Sequence, residues 1–155
     1  MNQIVIDEID KSLLAQLQQD ADQSLLDLGE TVGLSASAVQ RRIGRLKTDG
    51  YITGIFAQLD QQRLGLPVTI VTTVRFVRDG TTYTQELLAK LSRRPEVQLI
   101  HHLAGQHDLV VFTVVGDLAD YSSGVLTDLE EDDNVGRIET NVSLGEVKST
   151  HELPV

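Results

Sequence analysis

Residues 24–46 read SLLDLGETVGLSASAVQRRIGRL, which predicts two helices separated by a tight turn. Ser24, with Asp27 three residues later, predicts a capped helix start, and the Ser35 hydroxyl can cap the second helix. Gly29 allows a close helix–helix approach, and Gly33 permits a left-handed turn. Three apolar residues at helical spacing mark the inward face of the second helix: Val39, Ile43 and Leu46. The spacing predicts a helix-turn-helix of the kind that binds DNA.

The flanking residues extend this unit in both directions. A helix from about residue 7 to 20 is predicted by one apolar stripe, formed by Ile9, Leu13, Leu14 and Leu17. Residues 51–59, with Gly54 inside, predict a short strand pair or wing. We therefore expect a winged helix-turn-helix domain with three helices over residues 1–60 and a linker over 61–66.

The remainder, residues 67–155, alternates Val/Ile/Thr-rich runs with amphipathic segments. Strands are predicted at 68–77, 97–104, 109–115 and 135–147, and helices at 82–93 and 118–130. Two sets of apolar residues mark the buried faces of the helices: Tyr83, Leu87, Leu88 and Leu91 on one, and Leu118, Val125, Leu126 and Leu129 on the other. The order predicts an α+β fold, a ferredoxin-like βαββαβ sandwich with two helices on one side of an antiparallel sheet.

Both faces of the first strand of this domain carry apolar residues. One face holds Val68, Ile70, Val74 and Phe76, and the opposite face holds Val71 and Val77. Helices can cover only one face, so we expect the open face to be buried against another subunit. The sequence thus predicts a homodimer.

Charge is distributed unevenly in the first domain. Residues 1–60 contain five basic and nine acidic residues, yet four of the five basic residues lie between 35 and 48, where no acidic residue occurs. Such a cluster is expected of a helix that enters a DNA groove. We predict base contacts from Ser35, Ser37, Gln40 and Arg41, and phosphate contacts from Arg42, Arg45 and Lys47. A solvated basic surface is the alternative explanation.

Composition excludes several classes of protein. The 155 residues include no Cys, which excludes disulfides, a thiolate nucleophile and cysteine-ligated metals. The net charge of −10 by itself argues against nucleic acid, anionic membranes and heparin-like partners, and the basic cluster at residues 35–48 is the local exception. No apolar run is long enough to span a bilayer, and we expect a soluble, cytoplasmic protein. His101 and His102 are adjacent on a strand, so their side chains point to opposite faces and are not expected to share a metal.

The sequence resembles the Lrp/AsnC family of feast/famine regulators over nearly its whole length. The resemblance rests on Ile6-Asp7-Glu8-Ile9-Asp10, on Val32-Gly33-Leu34-Ser35 with the helix that follows, on Gly50-Tyr51-Ile52, on Gly105-Gln106-His107-Asp108-Leu109 and on Gly145-Glu146-Val147-Lys148. It implies a DNA-binding transcriptional regulator, associated with the nucleoid, whose dimers assemble into an octamer or another ring. It also implies a small amino-acid effector bound between subunits, but no cofactor, metal or catalytic residue.

The family position of the effector loop corresponds to Gly105, Gln106, His107 and Asp108, with Thr140 on the facing strand. A glycine exposes backbone N–H groups to a carboxylate, and Asp108 could bind an ammonium. A plain hairpin turn, in which Asp108 caps backbone, is the alternative. Two other functions stay open: an enzyme similar to sirohaem decarboxylases, which resemble these regulators, and a ligand-sensing oligomer whose DNA-binding module is weak.

Overall fold

The computed structural model describes residues 6–77 and 81–155, without the side chains of residues 81–83. The chain divides into two compact units, each with its own core. One contains the described residues up to Gln58 together with Lys148–Val155, and the other is Leu59–Val147. The sequence predicted a second domain that runs to residue 155, whereas the structure assigns the carboxyl-terminal segment to the helical unit.

The helical unit contains the three predicted helices, α1 (Glu8–Gln19), α2 (Leu25–Val32) and α3 (Ala36–Thr48). Its core is formed by one fully or almost fully buried side chain from each helix: Leu13, Leu28 and Val39. Burial of each contributes roughly 2 kcal/mol of stabilisation. The predicted caps are present, since the N–H groups of Asp27 and Ala38 donate to the Oγ atoms of Ser24 and Ser35.

Two predicted strand segments are not present. Residues 51–60, all of which the structure describes, form no strand, so the strand pair of the wing is absent. A lone hairpin needs an apolar face packed on other elements, and here Phe56 is 88% exposed. The last strand ends at Val142 rather than at residue 147. Beyond it, the chain returns to α1, where the side-chain amide of Gln18 donates to the Leu153 carbonyl at 3.1 Å and its Oε1 accepts the Leu153 N–H at 2.6 Å.

The second unit has the predicted ferredoxin-like topology. Its strands are β1 (Val68–Phe76), β2 (Val97–His102), β3 (Leu109–Val115) and β4 (Val135–Val142). They form one sheet in the order β2-β3-β1-β4, and every neighbouring pair is antiparallel. Helix α4 (Thr81–Ser92) follows β1, and a second helical segment follows β3.

That second segment is not a regular helix. It consists of α5 (Leu118–Tyr121), a π-helical turn (Ser122–Leu126) and α6 (Thr127–Glu130). The extra residue in the π-helical turn rotates the preceding residues by about 100° relative to α6. Leu118, predicted to be buried, is therefore 53% exposed, and Tyr121 is buried instead. Tyr83, predicted on the buried face of α4, lies outside the described side chains.

One face of the sheet packs on these helices, and the other has no covering element among the described residues. Strand β3 alternates in burial residue by residue, and β1 does so from Thr69 to Val74. On the open face, Phe112 is in register with Val71 on one side and with Leu99 on the other. No helix among the described residues is long and apolar enough to cross a membrane.

Candidate nucleic-acid interface and ligand loop

The turn between α2 and α3 fixes the position of α3. Gly33 adopts the left-handed conformation with φ 70°, and the Leu34 N–H donates to the Gly29 carbonyl at 2.9 Å. A Cβ at Gly29 would lie 2.5 Å from the Leu34 carbonyl oxygen, so only glycine allows this approach. The sequence predicted both glycine roles correctly. Because Val39 and Leu46 are fully buried, one face of α3 is turned to the core and the opposite face to solvent.

The solvent face of α3 contains most of the predicted DNA-binding residues. Ser35, Ser37, Gln40, Arg41 and Lys47 are exposed. The hydroxyls of Ser35 and Ser37 lie 3.1 Å apart at the amino end of the helix. In the part of the chain that the structure describes, Arg41 and Lys47 form no ion pair. This face therefore presents two cations and three small or amide polar side chains.

The other two arginines of α3 face α1. Asp10 of α1 is fully buried, and its carboxylate accepts from Nη1 of Arg42 at 2.8 Å and from Nη2 of Arg45. Arg42 Nη1 also lies 2.7 Å from Asp7, and the side chains of Arg42 and Arg45 are 23% and 47% exposed. The Asp10 N–H and the Arg42 guanidinium hold the pKa of Asp7 below its ordinary value. Hydrogen bonds to Asp7 and Asp10 raise the pKa of Arg42.

The phosphate contacts of Arg42 and Arg45 stay a prediction, and the structure gives both arginines an additional role as ion-pair partners of Asp10. A buried carboxylate must be compensated, and these two arginines compensate Asp10. A signal was present in the sequence: Asp10 precedes Leu13 and Leu14 of the buried stripe by three and four residues, which places it on the inward side of α1. Arg42 and Arg45, one helical turn apart, then face it together.

The predicted ligand loop between β2 and β3 is anchored through Asp108. The Asp108 carboxylate accepts the Phe76 N–H at 2.7 Å, and the Asp108 N–H donates to the Val74 carbonyl at 2.8 Å. The pairing of β1 with β3 ends at Val74, and the Asp108 carboxylate accepts the Phe76 N–H, which lies beyond that pairing. Gly105 and Gln106 are exposed, whereas His107 and Asp108 are half-buried. Asp108 thus caps the backbone of a neighbouring strand, not of its own turn.

Thr140 is not brought to this loop within one chain. It pairs with Thr72 of β1 on the helix-facing side of the sheet. Its Oγ1 lies 2.9 Å from the Tyr121 hydroxyl, which lies 2.8 Å from Thr72 Oγ1. Tyr121 was not among the predicted residues, although it lies three residues after Leu118 and four before Val125, a helical spacing that indicates the same face.

A second ionic cluster lies on the helical side of this unit. Asp128 is 5% exposed, and its carboxylate accepts from Lys90 Nζ at 2.8 Å and from Arg94 Nε. Arg94 also pairs with Glu96 at 3.0 Å. An open cavity of about 620 Å³ adjoins these residues. Among the described residues, no group of three His, Asp or Glu side chains is placed to hold a metal ion.

Comparison with known proteins gives a consistent result for both units. Residues 6–47 match the AsnC-type helix-turn-helix domain, and residues 69–153 match the Lrp/AsnC ligand binding domain. The chain is 28% identical over 152 residues to the transcriptional regulator AzlB of Bacillus subtilis, covering 98% of this chain and 97% of that protein. It is 32% identical over 148 residues to the leucine-responsive regulatory protein of Haemophilus influenzae, covering 96% and 89%.

Solved structures have the same fold. An AsnC family transcriptional regulator from Agrobacterium tumefaciens superposes with a TM-score of 0.88 at 27% identity, covering 96% of this chain and 97% of that one. A transcriptional regulator from Neisseria meningitidis, solved as a complex with L-Met, gives a TM-score of 0.89 at 26% identity, covering 97% of each chain.

A capped helix-turn-helix with an exposed basic face, followed by a ligand-binding α+β unit, defines a DNA-binding transcriptional regulator. Together the two matched domains span most of the sequence, and the chain belongs to the Lrp/AsnC family. The family consists of transcriptional regulators, so the comparisons do not favour the decarboxylase alternative.

Proposed function

We propose that this regulator binds duplex DNA through the solvent face of α3. The observation that carries the proposal is the exposed, unpaired state of Arg41 and Lys47 within the described residues, beside Ser35, Ser37 and Gln40. The small polar side chains at the amino end of α3 suit base edges, and Lys47 near its carboxyl end suits a phosphate. In a homodimer, two α3 helices would enter major grooves about 34 Å apart.

A salt series tests this assignment. In the Arg41→Ala/Lys47→Ala variant, DNA affinity should fall for every sequence, and the slope of log affinity against log salt should decrease by about two. The matched control is Arg63→Ala/Lys148→Ala, which removes the same charge outside α3. Equal slopes for the wild-type protein and the α3 variant would refute this interface.

We further propose that a small amino acid binds at residues 105–108 and is completed by a second subunit. The carboxylate of Asp108 already accepts the Phe76 N–H of β1, and the backbone of the exposed residues Gly105 and Gln106 is proposed to bind the ligand carboxylate. Nothing lies within 4 Å of a Cβ built at Gly105, and its φ is not left-handed. The fold of the single chain therefore does not require glycine at this position. A ligand or a second subunit that closely approached the backbone would require it.

Isothermal titration calorimetry with the twenty amino acids, beginning with L-methionine, tests this site. Gly105→Ala should leave thermal stability unchanged, because the added methyl group meets no other atom of the chain. It should reduce ligand affinity, because the same methyl group occupies the space in which the ligand is proposed to bind. Asp108→Ala should both destabilise the loop and reduce affinity. If no amino acid gives heat with the wild-type protein, the effector proposal fails and DNA binding is unaffected.

The open face of the sheet supports the proposal that the chain forms a homodimer, whose copies assemble into an octamer or another ring. Leu99, Phe112 and Val71 form a continuous apolar row across three strands of this face. A second copy is the simplest cover for such a row. The proposed dimer also supplies the two DNA-binding units that a pseudo-symmetric site requires. We place the protein in the cytoplasm, associated with the nucleoid.

A further inference from the structure

We infer that Asp10 is a positioning residue of the DNA-binding surface, which holds Arg45 by one edge so that its other edge can bind a phosphate. The inference rests on the proposed role of α3 and concerns a residue of α1 that need not touch DNA. Asp10 is the third residue of α1, and its carboxylate also accepts the Asp7 N–H at 3.2 Å. With Arg42 and Arg45 as further donors, the carboxylate has three partners and no exposure.

The two arginines are held differently. Arg42 donates twice from one nitrogen, to Asp7 at 2.7 Å and to Asp10 at 2.8 Å, and its side chain is only 23% exposed. Arg45 likewise donates from one nitrogen, Nη2, but it meets Asp10 alone, and its side chain is 47% exposed. A guanidinium carries five N–H donors in a planar fork. Arg45 therefore retains donors on Nε and Nη1, which have no partner among the described residues.

Fixing one edge of a guanidinium removes rotamer freedom before DNA arrives. A long side chain that is ordered only on binding loses about 0.5–1.5 kcal/mol of conformational entropy at that step. Asp10 reduces this cost, because one edge of the Arg45 guanidinium is already fixed while 47% of the side chain stays exposed. Arg42 bridges two carboxylates of the α1 amino end, Asp7 and Asp10, and is only half as exposed as Arg45.

Positioning and simple electrostatics predict opposite effects of removing the Asp10 charge. Asp10→Asn and Asp7→Asn each remove one negative charge beside α3, which by Coulomb attraction alone would strengthen DNA binding. Asp7 contacts Arg42 but not Arg45, and an asparagine is as good a helix cap as an aspartate. Asp7→Asn is thus the matched control.

The experiment measures affinity across a salt series for the duplex that the wild-type protein enriches from a random pool. Asp10→Asn should bind about tenfold more weakly and lose about one unit of salt slope, as Arg45→Ala should. Asp7→Asn should bind equally or more tightly. In the Arg45→Ala background, Asp10→Asn should cause no further loss. Equal behaviour of folded Asp10→Asn and Asp7→Asn, or additive losses with Arg45→Ala, would overturn the inference.

A second measurement does not depend on the variant folding. In the wild-type protein, the side-chain ¹⁵N signals of Arg45 should show restricted guanidinium rotation without DNA and a further shift when the duplex is added. Arg45 signals that do not change on addition of a duplex that is bound would exclude the phosphate contact. If the wild-type protein enriches no duplex, the proposed DNA-binding role of α3 is refuted. If it enriches a duplex but the Asp10 variant behaves like the Asp7 variant, only the positioning role of Asp10 is refuted.

Discussion

At the scale of single residues, both units use the same device to bury a carboxylate. Asp10 and Asp128 are the buried acidic side chains among the described residues, and each pairs with two basic side chains. The partners of Asp10 lie on α3, and those of Asp128 lie at the end of α4 and just after it. Burial of an unpaired carboxylate would cost several kcal/mol, so the cations are structural partners first. In an acidic chain, a basic residue on a helix predicted to be exposed can be an ion-pair partner of a buried carboxylate, as Arg42 is of Asp10.

The Asp128 cluster predicts a pH dependence of stability. Hydrogen bonding from Arg94, and then from Lys90, holds the pKa of Asp128 below its ordinary value of 3.8 against the opposing effect of burial. The ionised form stabilises the folded state fully above pH 3.8, and this contribution disappears as the pH falls through the lower folded-state pKa. Asp128→Asn should cost about 2 kcal/mol at neutral pH.

Urea unfolding of wild-type protein and variant between pH 7 and pH 2.5 gives the measurement. The difference in unfolding free energy should be constant down to about pH 4 and shrink below it. Glu130→Gln is the control, since Glu130 is exposed and unpaired among the described residues and should show no such difference. A difference between wild type and Asp128→Asn that grows with acidity would contradict the assigned pKa direction.

Gly29 predicts a stability effect in the helical unit. An alanine Cβ there would meet the Leu34 carbonyl oxygen at 2.5 Å, and backbone must move to admit it. Gly29→Ala should therefore destabilise this unit by about 2 kcal/mol. Gly44→Ala, on the exposed face of α3 with nothing within 4 Å, should stabilise it by up to about 1 kcal/mol. Thermal melts followed by circular dichroism compare the two, and equal effects would show that Gly29 is not required for the close approach.

At the scale of elements, the sequence predicted the regular segments well and the irregular ones poorly. Helix α1 begins and ends within one residue of the prediction, and α2 and α3 begin directly after their predicted serine caps, because caps and apolar stripes are local signals. The π-helical turn leaves no comparable signal, since one extra residue in a helix is visible only when its flanks pack against a sheet. The prediction of the wing strands was wrong because a strand is stable only beside a partner, and local sequence does not specify that partner.

Tyr121 connects its helical segment to two strands, and it predicts a coupled stability effect. Its hydroxyl lies within hydrogen-bond distance of Thr72 and Thr140, on β1 and β4. Tyr121→Phe should destabilise this unit by about 1–2 kcal/mol, because it leaves the buried Thr72 hydroxyl without a partner. Thr140→Val should cost less, and the double variant should cost less than the sum. Additive costs in chemical denaturation would show that the three hydroxyls do not act as one network.

At the scale of the whole molecule, topology was more predictable than function. Alternation of strand and helix signals, with right-handed connections, leaves few arrangements, and the observed order β2-β3-β1-β4 is the expected one. The sites were harder to predict because each depends on contacts distant in sequence. Asp108 satisfies β1 backbone thirty-two residues away, and Asp10 meets arginines thirty-two and thirty-five residues away. Helical spacing can indicate that Asp10 faces inward, but it does not identify the partner side chain.

The open sheet face makes a prediction about assembly. Phe112 lies at the centre of its apolar row, and Phe112→Glu would place a carboxylate where a second copy is proposed to pack. Desolvating that charge costs several kcal/mol, while in a single chain the side chain remains half-exposed and tolerates the change. Sedimentation equilibrium should therefore give the monomer mass for the variant, with wild-type helix and strand content.

Leu118→Glu is the control, because Leu118 is an exposed apolar residue outside the sheet, and it should keep the wild-type mass. The Phe112→Glu monomer should still bind a duplex with one half-site, since α3 is unchanged, but should lose the advantage of a duplex with two. Wild-type mass for a folded Phe112→Glu protein would show that subunits meet elsewhere. Loss of binding even to one half-site would mean that each DNA-binding unit needs the dimer in order to bind at all, and not only to supply a second binding unit.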